Sequence, residues 1–89
     1  MPQLSKTATS LLTILNNINE LISISSAREE AKDVMRALRV YAKNKNFPVA
    51  QDKIETFYAV LLDAKPFTLT AIIQDIAEEI VYVDTAKKW

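Results

Sequence analysis

The chain contains no glycine in 89 residues, and that absence restricts its possible folds more than any other single feature. Primed hairpin turns need positive φ, which glycine supplies at no steric cost, and the commonest helix C-cap uses it for the same reason. A β architecture is therefore disfavoured, and asparagine and proline are left to punctuate the chain. Between them, apolar residues recur at helical spacing. Leu4, Ala8, Leu11, Leu15, Ile18 and Ile22 stand four or three residues apart, with Leu12, Ile14 and Leu21 widening the stripe. This predicts a first helix from about Gln3 to Ile22. Thr7, Thr9, Ser10 and Thr13 are weak helix formers, so its first half depends on packing.

The segment Ser26 to Lys45, SAREEAKDVMRALRVYAKNK, carries the strongest helix signal. Ser26 and Glu29 have the spacing of a reciprocal capping box, Glu29 and Glu30 place acids in the first turn, and Lys43 and Lys45 place cations in the last. Ala27, Ala31, Val34, Leu38 and Tyr41 form the expected seam. Asn44, Asn46 and Pro48 end this helix, and Phe47 is expected to plug the end of the bundle. A third helix is predicted from about Val49 to Ala64, with seam Ala50, Ile54, Phe57, Leu61 and Ala64, stopped by Pro66. Thr68 or Thr70 is the expected cap of a fourth, whose seam is Leu69, Ile73, Ile76, Ile80 and Val83. After it, residues 84–89 form a polar tail that frays or adds a turn or so to the helix. Four such seams with short connections predict an all-α, antiparallel up-down four-helix bundle over residues 1–83, with shallow crossings near about +20°.

Composition excludes much chemistry. With neither cysteine nor histidine, thiol nucleophiles, Ser-His triads, soft-metal sites and proton switches near neutral pH are ruled out. No disulfide supports the fold, which suits a reducing compartment. Eleven cations balance eleven anions, so no global field draws the protein to nucleic acid or a membrane. Locally, residues 1–45 carry +3 and the remainder −3. The start, MPQLSKTATS, has no cationic run leading into an apolar core, so no secretory leader is expected. No apolar run approaches the roughly 20 residues that cross a bilayer.

Three groups of residues are candidates for function. Arg28, Lys32, Arg36, Arg39 and Lys43 form a cationic stripe along the second helix, able to follow a nucleic-acid backbone or an anionic partner, or simply to be solvated. Aromatic residues that would mark single-strand binding do not interleave it. Asp75, Glu78 and Glu79 are paired acids expected on a wet face, with no metal or other cofactor implied. Small helical mutases aim cations into their bundles, whereas Arg28, Arg36 and Arg39 lie off the seam, so no enzyme is expected. Finally, Val40, Tyr58, Leu62, Ile72, Val81, Tyr82 and Trp89 exceed what one core needs. They either widen the core or leave an apolar patch toward the third and fourth helices. Trp89, behind Lys87 and Lys88, folds back on the bundle or anchors a partner or membrane interface.

The order of these features resembles a known family. Val40-Tyr41-Ala42-Lys43 closing a charged second helix, then Ile54-Glu55-Thr56-Phe57-Tyr58, Lys65-Pro66-Phe67-Thr68 and Ile73-Gln74-Asp75-Ile76-Ala77-Glu78-Glu79-Ile80, resembles the immunity proteins for pediocin-like (class IIa) bacteriocins of lactic acid bacteria, especially the enterocin A immunity group. The likeness spans most of the chain and rests on layout and apolar rhythm. It implies a non-catalytic cytoplasmic bundle, partly membrane-associated, that protects a bacteriocin producer. Its implied partner is the membrane-embedded mannose phosphotransferase permease with bound bacteriocin, read by the C-terminal half. Tyr82, Asp84, Lys87, Lys88 and Trp89 then become the recognition candidates. Many members of the family are more basic than this neutral chain. Two other readings follow from the residues alone: a nucleic-acid-binding or regulatory module using the cationic stripe, and a self-associating structural bundle.

Overall fold

Helix forms in each of the four apolar segments. The computed structural model describes residues 3–86, in which α1 spans Lys6–Ile22, α2 Arg28–Asn44, α3 Gln51–Val60 and α4 Pro66–Thr85. The four helices pack against each other around one cluster of buried side chains, and the described residues contain no strand. Close backbone approach is confined mainly to three pairs, α1 with α2, α1 with α4, and α3 with α4. α1 is therefore the helix against which both long neighbours pack.

The core follows the seams of α1 and α4 as expected. Ala8, Leu11, Leu15, Ile18 and Ile22 are buried from the first, and Leu69, Ile73, Ile76, Ile80 and Val83 from the last. In α2 Ala31 and Leu38 are buried as expected, Met35 and Ala42 replace Val34 and Tyr41, and Ala27 lies half-buried in the turn before the helix. Ala31, Met35, Leu38 and Ala42 are buried, while Val34 and Tyr41 are only partly so. Adjacent apolar pairs, Val34-Met35 and Tyr41-Ala42, fit a helical period equally well, so spacing does not choose between them. Packing does. Small side chains at Ala8, Ala31 and Ala42 suit the close approach of α1 and α2, and the partly buried Tyr41 ring lies 5.9 Å from the Lys45 ammonium.

Helix ends differ more from expectation, because ends are decided by groups outside the helix. α1 begins at Lys6, where the Ser5 hydroxyl accepts from the Ala8 amide at 3.1 Å. The Ser26–Glu29 capping box does not form. Residues Ser25–Ala27 instead tighten into a 3-10 turn whose amides bond to nearby backbone carbonyls, Ala27 to Ile24 at 2.9 Å among them. A connection this short must reverse the chain at once, and 3-10 bonding satisfies the orphan donors without a side chain. α3 is shorter than expected at both ends, leaving Ala50 and Ala64 half-buried outside it. α4 starts at Pro66, two residues before Thr68, with Lys65 at the cap position and no side-chain cap, so neither Thr68 nor Thr70 caps it. Pro66 thus opens a helix, since its missing amide costs nothing there, and does not stop α3, which has already ended at Val60.

The end of α2 is built as anticipated from asparagine. Asn46 adopts φ 57°, and among the described residues it is the one with positive φ. The Phe47 amide donates to the Ala42 carbonyl at 2.8 Å and the Asn46 amide to that of Lys43 at 3.1 Å. This is a Schellman closure with asparagine standing where glycine is usual, and it delivers the Phe47 ring into the core.

Candidate functional site

Two long-range hydrogen-bond sets position what the surface displays. The first joins the chain's extremities. Asp84, in the last turn of α4, is only 7% exposed, and its carboxylate accepts from the Ser5 amide at 2.9 Å and the Ser5 hydroxyl at 2.7 Å. Ser5 is at the same time the cap of α1, so one residue ties the start of the first helix to the end of the last. Of the alternatives for the residues after Val83, Asp84 and Thr85 take the added turn of helix. Asp84, expected on a recognition surface, is turned inward and occupied by Ser5, because a carboxylate near free helix N-terminal donors is stabilised there.

The second set closes the α3–α4 connection. Arg28, the first residue of α2, donates from Nη1 to the carbonyls of Leu61 and of Ala64, the latter at 3.1 Å. These carbonyls follow the last turn of α3, where orphan acceptors collect. Arg28 Nε is enclosed and has no partner among the described residues. The expected cationic stripe is therefore broken at its first member. Of the rest, Lys32 is half-buried, Arg36 lies 3.5 Å from Asp33, Arg39 sits 6.0 Å from the centroid of the Tyr58 ring, and Lys43 is exposed. The Tyr58 hydroxyl is enclosed without a partner among the described residues.

Because Arg28 holds the α1–α2 connection beside the α3–α4 connection, the apolar side chains of both lie at one end of the structure. Leu62 is 67% exposed and Phe67 84%, with Ile24 also exposed. Phe67 is the most exposed large hydrophobic residue of the described chain, and periodicity alone did not single it out. Its signal was available, however. It is the second residue of a helix opened by proline and lies two positions before Leu69, where the seam enters the core. At the opposite end of α4, Tyr82 is 56% exposed and Val81 is also open to solvent. Phe67 and Tyr82 are fifteen residues apart on one helix, about 22 Å along its axis. Val40 is exposed on α2, whereas Tyr58 and Ile72 are half-buried against the core. Lys87, Lys88 and Trp89 lie outside the described residues.

Asp75 and Glu78 are exposed, and Glu79 comes within 3.9 Å of the Lys53 ammonium. Among the described residues no group of carboxylates has the arrangement of a metal site, and no helix is long and apolar enough to cross a membrane. Fold and surface together define an all-helical four-helix protein with apolar side chains displayed at both ends of α4. No family model matches the chain, and no curated protein or solved structure does either.

Proposed function

We propose that this chain is a non-catalytic immunity protein for a pediocin-like bacteriocin, an antiparallel up-down bundle acting in the cytoplasm on the bacteriocin-engaged mannose phosphotransferase permease. The observation that carries the reading beyond the resemblance is the placement of exposed apolar side chains. Leu62, Phe67, Val81 and Tyr82, four of the six large hydrophobics exposed among the described residues, fall in the C-terminal half. That is the half to which the resemblance assigns recognition. Apolar side chains exposed in this way suit burial against a protein partner, with the aromatic rings as anchors. Alternating helix directions agree with the Ser5–Asp84 and Arg28–Leu61 bonds, which pair the two termini of the bundle and two of its connections.

The test is protection. A bacteriocin-sensitive lactic acid bacterium expressing the chain is challenged with a panel of pediocin-like peptides beside an empty-vector control. Growth against one or a few peptides is expected, together with its loss in Phe67→Ser at unchanged protein level. No protection by folded, soluble chain refutes the reading; full protection by Phe67→Ser removes that end of α4 from the mechanism.

A further inference from the structure

A groove of about 470 Å³ lies where the C-terminal half of α2 meets the α2–α3 connection, and its lining combines two chemistries. Arg36, Arg39 and Lys43 supply three cations at spacings of three and four, which one helix face presents together. Val40, Phe47, Pro48 and Val49 supply an apolar wall, and among the described residues no acidic side chain lines the groove. By contrast, the cleft of about 200 Å³ between α1 and α4, lined by Asn16, Asn19, Thr70 and Gln74 among others, has no charged side chain among the described residues that line it. The cationic groove is of the size that encloses small organic ligands.

We infer that this groove binds a phosphate ester, the phosphate held by Arg36, Arg39 and Lys43 and the apolar part of the ester laid along Val40, Pro48 and Val49. Arginine forks match two phosphate oxygens at once, and a lysine ammonium adds a mobile donor to the third. Arg39 is already placed by the Tyr58 ring, so little of its freedom is lost on binding. Arg36 is held only by an exposed contact to Asp33, of a kind worth little, and turns to a ligand without breaking anything buried. α3 starts at Gln51 in the same lining, and Asp52 in its first turn already complements the positive end of its dipole, so the three side-chain cations carry the charge of the site. The apolar wall is what separates this site from a solvated cationic face, which would hold inorganic phosphate as well as any ester.

The test titrates the full chain with hexyl phosphate, inorganic phosphate and hexanol, following backbone amide resonances. Hexyl phosphate is expected to shift amides within residues 36–51 saturably and to bind at least about tenfold more tightly than inorganic phosphate, with hexanol weaker still. Arg36→Gln with Lys43→Gln is expected to weaken it by about tenfold or more, and Val40→Asp, which puts a carboxylate on the wall and removes no cation, to do the same. Thermal melts of the variants check that the fold is kept. A second arm uses phosphatidylcholine vesicles with and without phosphatidylglycerol. Binding gained with phosphatidylglycerol and lost in the same variants assigns the ester to a membrane headgroup; binding of free hexyl phosphate without that gain assigns it to a soluble ester, and either upholds the site. Equal affinity for inorganic phosphate and hexyl phosphate, shifts scattered over the surface, or a folded Val40→Asp that binds unchanged overturns it.

Discussion

Replacing Asp84 by alanine tests whether the two ends of the chain stabilise one another. The carboxylate accepts two hydrogen bonds from Ser5, and Ser5 in turn caps α1. A hydrogen bond to a charged group contributes about 1.5–3 kcal/mol, and the lower figure suits a half-buried serine, so losing both costs about 3 kcal/mol. A chain of this length has a total stability on the order of 4–13 kcal/mol, which makes that a large share. The melting temperature is expected to fall by about 12–24 °C, taking about 4–8 °C per kcal/mol for a domain of this size. Ser5→Ala removes the hydroxyl bond and the cap together and is expected to cost about 2 kcal/mol. Urea unfolding of both single variants and the double variant closes a cycle that separates the pair from anything else Asp84 touches. A coupling of about 1.5 kcal/mol is expected. A coupling below about 0.5 kcal/mol, or an Asp84→Ala protein melting within about 3 °C of the parent, refutes the tie.

Three further perturbations probe the ends and the core. Arg28→Met leaves the carbonyls of Leu61 and Ala64 without their guanidinium donor and is expected to cost about 2 kcal/mol by urea unfolding; a neutral outcome shows that water serves them equally well. Asn46→Gly relaxes the left-handed residue and is expected to raise stability by a few tenths of a kcal/mol up to about 1, whereas Asn46→Val should lose about 1–2 kcal/mol, and calorimetry showing the opposite order excludes the Schellman closure. Ile76→Asp buries an unpaired charge in the α4 seam and is expected to cost several kcal/mol, enough to abolish the cooperative melt seen by circular dichroism; an unchanged melt places Ile76 outside the core.

Where the apolar pattern had one solution, it was readable in advance. The α4 seam from Leu69 to Val83 and the α1 seam from Ala8 to Ile22 are buried residue for residue, because their three- and four-residue spacing holds one line along the helix while the adjacent Leu12, Ile14, Leu21 and Ile72 only flank it, partly buried. α2 offered two adjacent solutions, Val34 or Met35 and Tyr41 or Ala42, and only the packing against α1 and the core selects Met35 and Ala42. Asn46 was legible for a chemical reason, since a chain without glycine has few other residues for a left-handed helix end. Ser26 was misleading for the converse reason. Its box is a local preference worth about 1 kcal/mol, and a connection that must reverse within a few residues overrides it.

The candidate surfaces divide along the same line. Cations recurring along α2 and aromatic residues late in the chain are visible in the order of residues. Which of the cations line the groove is not, because Arg28 is diverted to carbonyls more than thirty positions away, whereas Arg39 rests against the ring of Tyr58 and still lines the groove. Asp84 reads as a tail residue until the start of α1 is set beside it. Helical periodicity, helix number and the asparagine closure are local properties, determined by side-chain spacing and backbone sterics within a few residues. The phase of α2, the inward turn of Asp84, the capping role of Arg28 and the exposure of Phe67 depend on which segments meet in space. Only the tertiary structure decides them, because a charged or aromatic side chain goes wherever a distant partner satisfies it or fails to cover it.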